Sequence, residues 1–539
     1  MSLTGLLGIV TDDPQLHQAL ELASMPAAGG ADLVAPPALR PILAAVLAGG
    51  TGTGVGQIEP AHAGDAPTGQ GQAAGAGRFV LAITATAREA EDLTSALGSL
   101  LPDPEAVAYF PAWETLPHER LSPRSDTSGR RLAVLRRLVN PDPSDPRSGP
   151  LRVVATPVRG VLQPLVGGLG QLEPVRLAQG QQAEMDEIVT RLVEIGYARV
   201  DLVTNRGEIA VRGGILDVFP PTEEHPLRIE FFGEDVEEIR SFKAADQRSL
   251  GITVDGLWAP PCRELLLTPA VRHRAKQLAA EYPGVGDILG KLADGITVEG
   301  MEAFAPLLAD RMELLFDSLP AGAIVLACDP ERIRTRAADL VRTSQEFLEA
   351  SWVNAAAGAQ IPIDLGGAAF RPITEIRAAA RDLGLSWWTI TPFSTEEQPS
   401  GDTARTPSSA SQPTGGTGET DRGGPREESA APATGWLDET GGRESFRIMA
   451  SPATAYHGDT ARVIGDVRGW LAGGWRVVLV TEGHGPAQRL AELLRGEGLG
   501  ARAGDLDLPP EPAVAVVATG QLDYGFCWPG IRLAVLSET

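Results

Sequence analysis

Lysine is almost missing from this sequence, which limits the kinds of nucleotide site that it can contain. Among the 539 residues only Lys243, Lys276 and Lys291 are lysines. A P-loop needs glycine amides around the phosphates, then a lysine for the β- and γ-phosphates and a Ser or Thr for magnesium. In the glycine-rich stretch 49–57, GGTGTGVGQ, Val55 and Gly56 stand at these two positions. We therefore interpret the stretch as flexible filler and expect no bound cofactor in this chain.

Other common catalytic and metal-binding patterns are missing as well. The cysteines, Cys262, Cys328 and Cys527, are too few and too scattered for a disulfide framework or a zinc cluster. The histidines never fall at metal-ligand spacing, and no G-x-S-x-G elbow occurs. The sequence thus predicts neither a catalytic residue nor a metal site.

Positive charge is also in deficit, because the formal net charge is -24 and the isoelectric point is about 4.8. Such a chain repels phosphate backbones, which argues against general binding of nucleic acid. No apolar run approaches the roughly 18 residues of a membrane span, and the start, MSLTGLLGIVTDDPQ, lacks the pattern of a signal peptide. We expect a cytoplasmic protein without a membrane partner.

The length and the hydrophobic patterning predict several domains. The run FVLAITAT, residues 79–86, is typical of a buried strand before a helix, and LRVVATPV, residues 151–158, repeats that α/β theme. From residue 184 the spacing of apolar residues changes, and EMDEIVTRLVEIGY predicts an amphipathic helix. The runs VDLV, GEIAV, GILDVF, LRIEFF and VEEIRSF then predict an antiparallel meander.

Two segments are too poor in apolar residues to build a core. Residues 49–77 are rich in Gly, Ala and Gln and predict a flexible insertion, whereas residues 396–443 are rich in Ser, Thr, Gly and Pro and predict a disordered linker. Beyond the linker, helix and strand patterns alternate from TARVIGDVRGWLAGG to IRLAVLSET. This alternation predicts a last, small α/β domain.

The stretch GEIAVRGGILDVFPP, residues 207–221, reads as two strands joined at a glycine-rich corner. Because side chains alternate along a strand, Ile209 and Val211 should face the core and Arg212 should project outward. The same rule applied to LRIEFF puts Arg228 and Phe232 outward as well. Arginine and aromatic side chains on a polar surface commonly anchor protein interfaces. The alternative is that Arg212 only pairs with Glu208 or Glu230 and that Phe232 packs under the Gly233 turn.

Two long stretches carry a family resemblance: FPAWETLPHERLSPRSDTSGRRLAVLRRL, residues 110–138, and GYARVDLVTNRGEIAVRGGILDVFPPTEEHPLRIEFFGEDVEEIRSFKAADQRS, residues 196–249. Together with GMEAF, CDPERIRTRAADL and EFLEASW further along, they resemble the N-terminal part of the bacterial transcription-repair coupling factors. The resemblance implies a degenerate P-loop-ATPase-like α/β domain, similar to the excision subunit UvrB, that is interrupted by a small antiparallel β-rich α+β domain which recruits UvrA. A disordered linker and a small α/β domain follow.

The resemblance also implies the domain bounds and the site. We expect the UvrB-like domain in residues 1–172 and 258–395, the UvrA-binding domain in residues 173–257, the linker in 396–443 and the divergent α/β domain in 444–539. The positions that match the family's UvrA-contacting residues are Arg212, Arg228 and Phe232. RNA polymerase, double-stranded DNA, ATP and Mg are expected to be bound by the full-length family through a polymerase-binding domain and a translocase motor that this chain lacks.

Two other functions compete with recruitment of UvrA. The chain could be an ATP-dependent helicase or excision subunit with an unusual nucleotide site, or a structural module that docks on the motor domains and keeps them inactive. A basic group on a helix-like stretch could touch phosphate, but we interpret it as a solvated helix face. Its members are Arg130, Arg131, Arg136 and Arg137. Trp113 is interpreted as a packing residue, because base stacking on a protein needs clustered rings beside positive charge.

Overall fold

The computed structural model describes residues 2–25, 29–49, 77–116, 119, 121–252, 256–356, 369–392 and 443–538. The predicted flexible insertion falls on residues 49–77 and the predicted linker on 396–443, so almost all of both lies outside the described residues. The described part of the chain is a mixed α/β protein with several separate sheets, as the patterning predicted. None of its helices is long and apolar enough to cross a membrane.

The first sheet is parallel throughout and is built from strands that are far apart in the sequence. In spatial order its strands are Glu444–Arg447, Ala31–Val34, Ser386–Thr391, Ile324–Cys328, Val80–Thr84, Val153–Pro157 and Val107–Tyr109. Central strands such as Val80–Thr84 and Ile324–Cys328 are buried at every position. This burial is the expected behaviour of a parallel sheet that helices cover on both faces, and it explains why the two predicted strands near residues 80 and 153 read as continuous apolar runs.

Helices cover both faces of this sheet. One face packs against Arg40–Leu47 and Ala87–Leu100, and the other packs against Ser125–Val139, Val158–Leu162, Pro330–Ala356 and Ile373–Asp382. The neighbouring strands Val80–Thr84 and Ile324–Cys328 are therefore followed by helices on opposite faces. Such a reversal opens a crevice at the carboxyl ends of the strands, which is the usual ligand position in open α/β sheets.

The second sheet is almost entirely an antiparallel meander. In spatial order its strands are Ser249–Ile252, Asp235–Phe242, Leu227–Phe232, Ile215–Val218, Glu208–Arg212 and Ala198–Arg199. The amphipathic helix Met185–Glu194 packs on one face through Val189 and Leu192, which meet the core side chains of the sheet. The strands Val175–Leu177 and Leu257–Ala259 pair where the chain enters and leaves this unit.

One predicted strand of the meander is wrong. The run VDLV, residues 200–203, is irregular, and the edge of the sheet is formed instead by Ala198–Arg199, which runs parallel to Glu208–Arg212. Val203 leaves the line of the sheet because it packs in a small cluster with Ala210 and Phe219. A short alternating run cannot distinguish this packing from a strand.

The segment between the second unit and the return to the first sheet is mainly helical, as the pattern from residue 268 predicted. Its helices Pro269–Glu281, Gly286–Ala293 and Ala305–Leu308 share a core of their own. A short pairing of Leu165–Val166 with Met312–Glu313 joins the segment to the first unit. Single turns of 3₁₀ helix occur along the chain at Pro37–Leu39, Pro104–Ala106, Pro146–Ser148, Leu169–Gln171, Pro283–Val285, Met301–Phe304, Leu315–Ser318 and Pro529–Ile531.

The third sheet belongs to the last part of the chain. In spatial order its strands are Ser451–Pro452, Phe526–Trp528, Leu533–Ser537, Arg476–Thr481, Ala515–Thr519 and Ala501–Ala503. One face is covered by the helices Thr460–Ala472 and His484–Gly496. The other face meets the N-terminal helices Gly5–Val10 and Pro14–Ser24, so its side chains join the core of the first unit.

The first and third sheets thus share one continuous core through the N-terminal helices. Buried Trp528 donates its indole N–H to Asp13 at 3.0 Å, and the Gly5 amide donates to the carbonyl oxygen of Leu506 at 2.6 Å. The strand Glu444–Arg447 pairs with Ala31–Val34 in the first sheet. The predicted boundary at residue 444 therefore falls on a strand of the first sheet.

Candidate protein-interaction site

The predicted site residues lie on the second sheet, on the face opposite the helix Met185–Glu194. Along Leu227–Phe232, Leu227 and Ile229 are buried in the core, and Arg228 and Phe232 alternate to the other face. Along Ile215–Val218, Leu216 and Val218 are buried in the same core. The alternation therefore gives the sheet one apolar face and one face that carries charged side chains.

Asp217 lies between the two arginines of the site and pairs with both. Arg228 donates from Nε to Oδ1 at 2.7 Å and from Nη2 to Oδ2 at 2.9 Å, and Arg212 donates from Nη2 to Oδ2 at 3.2 Å. The Asp217 side chain is 1% exposed, whereas Arg228 is 21% and Arg212 is 49% exposed. A planar guanidinium that meets a carboxylate through two hydrogen bonds is held in one orientation.

Arg228 is held from a second side by an aromatic ring. Its guanidinium carbon lies 4.6 Å from the centroid of the Phe242 ring, which is buried. This is the distance range of a cation–π contact. The hydrogen bonds to Asp217 raise the pKa of Arg228 above its usual value, so the side chain stays charged. The charge of Arg228 is thus fixed in position while part of the side chain still faces solvent.

Phe232 projects from the end of the same sheet. The side chain is 76% exposed, and the residue stands just before the turn at Gly233, where φ is +65°. The neighbouring corner is formed by Gly213, with φ +60°, and Gly214, where an added Cβ would lie 2.9 Å from the carbonyl oxygen of Phe231. The predicted glycine-rich corner is therefore confirmed, and it needs glycine for two different reasons.

A second ion cluster continues the same face. Arg240 pairs with Glu230 and, at 3.0 Å, with Glu238. All three side chains are between a quarter and a third exposed. The cluster has one carboxylate in excess, and among the three arginines of this face Arg212 is the most exposed.

The structure differs from the alternative interpretation of the site in its details: Arg212 does form an ion pair within the chain, but with another partner. Arg212 pairs with Asp217 rather than with Glu208 or Glu230, and Glu208 instead accepts hydrogen bonds from the backbone amides of Thr204 and Asn205 at 2.8 Å. Phe232 is exposed rather than packed under the Gly233 turn. Asp217 was missed by reasoning from the sequence, although the signal is visible: it is an acidic residue in the apolar strand ILDV, at an outward position beside two arginines.

The prediction of a solvated basic face on the helix Ser125–Val139 is confirmed for Arg130, which is exposed, but it is wrong for Arg131, and Arg136 and Arg137 are partly buried. Arg131 is fully buried and bonds Glu264 from Nε at 2.6 Å and from Nη2 at 3.2 Å. Arg137 donates from Nε to the carbonyl oxygen of Gly149 at 2.8 Å. Trp113 donates its indole N–H to Glu264 at 2.7 Å, which agrees with its interpretation as a packing residue.

The crevice at the carboxyl ends of the first sheet contains an ion network. Arg40 bonds Asp329 at 3.2 Å and approaches Glu89 at 3.7 Å, and Arg332 also pairs with Glu89. Gly49, at the start of the glycine-rich stretch, follows the helix Arg40–Leu47, whereas a P-loop follows a strand. Residues 50–57 of that stretch lie outside the described residues, and among the described ones no group of His, Cys, Asp and Glu could hold a metal ion.

Comparison with known proteins matches the second-sheet unit to a known domain family. Residues 175–256 match the family model of the UvrB interaction domain. A transcription-repair-coupling factor from Mycobacterium tuberculosis (strain CDC 1551 / Oshkosh) is 44% identical over 478 residues, which make up 85% of this chain and 35% of the relative. The chain is related to the transcription-repair-coupling factors. The resemblance that its motifs predicted is thereby confirmed.

Other coupling factors match a smaller part of the chain. The transcription-repair-coupling factor of Bacillus subtilis (strain 168) is 29% identical over 50% of this chain and 24% of the relative. That of Escherichia coli (strain K12) is 28% identical over 41% of this chain and 19% of the relative. The chain thus spans about a third or less of the length of these curated coupling factors.

Proposed function

We propose that this chain recruits the repair protein UvrA in transcription-coupled nucleotide excision repair, and that the second-sheet unit is the docking module. The observation that carries the proposal is the exposed Phe232, 76% accessible, beside the paired Arg212 and Arg228 within the segment that matches the UvrB interaction domain. The names of the relatives support the process, because they are transcription-repair-coupling factors.

The chemistry of this surface suits a protein partner. A phenyl ring in water gains free energy when a partner removes it from solvent, and arginine can form two parallel hydrogen bonds to a carboxylate. Few interface residues dominate binding, and aromatic and arginine side chains are frequent among them. Around Phe232 the acidic groups outnumber the basic ones, because the three arginines of the face pair with three carboxylates and Asp235 lies across from Phe232 as well. Such a face is unlike the positive surface that a nucleic acid requires.

The proposal also includes the domain bounds, the other partners of the family and the place where the protein works. In it, the described units are the UvrB-like domain in residues 1–172 and 258–395, the UvrA-binding domain in 173–257 and the divergent domain in 444–539. RNA polymerase, double-stranded DNA, ATP and Mg bind to domains outside this chain, where an ATP-dependent translocase displaces the stalled polymerase. The protein works in the cytoplasm.

A binding function, rather than ATP hydrolysis, is supported by the crevice of the first sheet. Arg40 pairs with both Asp329 and Glu89 at the position where an open α/β sheet binds its ligand. Residues of the third unit, among them Tyr524, also line this crevice. The charged groups of the crevice are thus already engaged in ion pairs.

The proposal is tested by measuring the affinity of the purified chain for UvrA by calorimetry. Arg228→Ala and Phe232→Ala are each expected to cost about 2 kcal/mol of binding free energy, which is the range of an interface anchor. Arg212→Ala is expected to cost less, about 1 kcal/mol, because the side chain is more exposed and makes a single contact with Asp217.

Two matched substitutions serve as controls. Arg248→Ala removes an arginine of the same unit that is 84% exposed, and Tyr524→Ala removes an aromatic ring of the third unit that is 66% exposed. Both should bind UvrA like the unchanged chain. If Arg228→Ala and Phe232→Ala bind as well as these controls, the surface is not the docking site and the proposal is wrong.

A further inference from the structure

Arg212 and Arg228 are held by one buried carboxylate on the second sheet, and the role inferred for it rests on the proposed docking of UvrA at this face. We propose that Asp217 is a positioning residue of the docking site: its buried carboxylate fixes the guanidinium groups of Arg212 and Arg228 in the orientation that the partner meets. Asp217 would then determine affinity without touching the partner.

Asp217 lies beside the arginines along the sheet but is more deeply buried than either of them. It pairs across the sheet with Ala210 on one neighbouring strand and with Arg228 on the other. Both of its carboxylate oxygens accept hydrogen bonds from arginine, and only 1% of its side chain reaches solvent. A partner that approaches this face therefore meets the guanidinium groups first.

The other carboxylates on this face are placed differently. Glu230 is 30% and Glu238 is 26% exposed, so both can contact a partner directly. Asp217 differs from them because its charge is covered by the two side chains that it holds. A buried carboxylate in the middle of a strand is costly unless it is paired. The paired arginines offset that cost in the folded protein, and their orientation is the result.

A fixed orientation has a direct effect on binding. A long side chain that is mobile before binding loses conformational entropy when a partner immobilises it, at about 0.5–1.5 kcal/mol for each side chain. Asp217 and the Phe242 ring remove most of that freedom from Arg228 in advance. The partner thus meets a guanidinium that is already in place, and the nitrogen atoms of the half-exposed Arg212 remain accessible for a carboxylate of the partner.

The test compares the affinity for UvrA of the unchanged chain, Asp217→Asn and Asp217→Glu. Asp217→Asn keeps the shape but removes the charge, and we expect binding to weaken about tenfold because two guanidinium groups become mobile. Asp217→Glu keeps the charge but shifts it by one methylene group, and a smaller loss is expected. Thermal melting of each variant, together with the circular dichroism spectrum, shows that the chain remains folded at the temperature of the binding measurement.

A double-mutant cycle separates positioning from direct contact. In the Arg228→Ala background, Asp217→Asn should weaken binding less than it does in the unchanged chain, because only the orientation of Arg212 is then lost. The matched control is Asp246→Asn, which removes an exposed carboxylate of the same unit that pairs with Arg248. The inference is overturned if Asp217→Asn in the unchanged background binds UvrA as tightly as the parent chain, if Asp246→Asn weakens binding as much as Asp217→Asn does, or if the effects of Asp217→Asn and Arg228→Ala simply add.

Failure of this inference can be told apart from failure of the proposed docking. If Arg228→Ala and Phe232→Ala weaken binding but Asp217→Asn does not, the docking surface stands and the positioning role is wrong. If none of the three substitutions changes the affinity, the docking surface itself is wrong and the role of Asp217 falls with it.

Discussion

Arg131 and Glu264 form a fully buried ion pair that joins the helix Ser125–Val139 to the chain beyond the second unit. The side chains are 0% and 2% exposed, and the guanidinium reaches both carboxylate oxygens, at 2.6 and 3.2 Å. Arg131 also lies 4.4 Å from the centroid of the Phe110 ring, and Trp113 donates to the same carboxylate. The buried carboxylate of Glu264 therefore holds both Arg131 and Trp113 in place.

Breaking this pair should destabilise the protein strongly. Glu264→Gln leaves the Arg131 charge buried without its counter-charge, so we expect the free energy of unfolding to fall by about 3 kcal/mol. Urea denaturation followed by circular dichroism measures the change. The double substitution Arg131→Met with Glu264→Leu should recover part of the loss, because it leaves no buried charge unpaired.

An exposed ion pair provides the control for that experiment. Arg342 and Asp339 pair at 2.7 Å with side chains that are 65% and 40% exposed. Asp339→Asn should change the free energy of unfolding by at most about 0.5 kcal/mol, since solvent screens such pairs. If Glu264→Gln costs no more than Asp339→Asn, the buried pair does not stabilise the junction as we argue.

Gly5 should be essential for the contact between the N-terminal helix and the third unit. A Cβ at this position would lie 2.2 Å from the carbonyl oxygen of Leu508, whereas a Cβ at Gly8 of the same helix would lie 3.5 Å from the Pro509 ring. Gly5→Ala is therefore expected to cost roughly 2 kcal/mol through overpacking. Gly8→Ala should be neutral or slightly stabilising, because alanine favours helix. Equal melting temperatures for the two variants would contradict this close approach.

Much of the secondary structure was predictable because the spacing of apolar residues in the sequence matches the buried positions of each strand and helix. The strands near residues 80, 153, 209, 216 and 229 and the helix Met185–Glu194 lie where the apolar pattern places them. The pairing of Glu444–Arg447 with Ala31–Val34 was not predictable. Sequence periodicity describes one element at a time, and it contains no signal for a contact between strands that are hundreds of residues apart.

The site was only partly predictable from the sequence, because its contacts join different strands. Alternation along the strand indicated that Arg212, Arg228 and Phe232 face outward, but it did not indicate that Asp217 pairs with both arginines. Alternation fixes the face of a side chain and leaves its partner open, because the partner depends on register between strands. The burial of Arg131 was missed because a basic helix residue is usually solvated, and its partner Glu264 lies far away in the sequence.

Mg-ATP is expected to leave the stability of this chain unchanged. A ligand that binds the folded protein at a hundred times its dissociation constant stabilises it by about 2.7 kcal/mol, which shifts the melting temperature measurably. The Arg40–Asp329 pair, at 3.2 Å, lies in the crevice where a nucleotide would have to bind. Differential scanning calorimetry with and without millimolar Mg-ATP checks the expectation, and a reproducible rise in melting temperature would contradict it and favour the enzyme interpretation.

The cysteines should differ sharply in reactivity at neutral pH. Burial raises the pKa of Cys328 to about 12 and also raises that of the buried Cys262. The thiolate is the reactive form, so both thiols should resist N-ethylmaleimide in the native protein. Cys527 is only partly buried, and although burial raises its pKa too, it should be labelled first. Intact mass measured over time should show one fast adduct, which Cys527→Ser removes, and further adducts only in denaturant. Rapid labelling of Cys262 or Cys328 in the native chain would mean that the cores around them open more readily than their packing indicates.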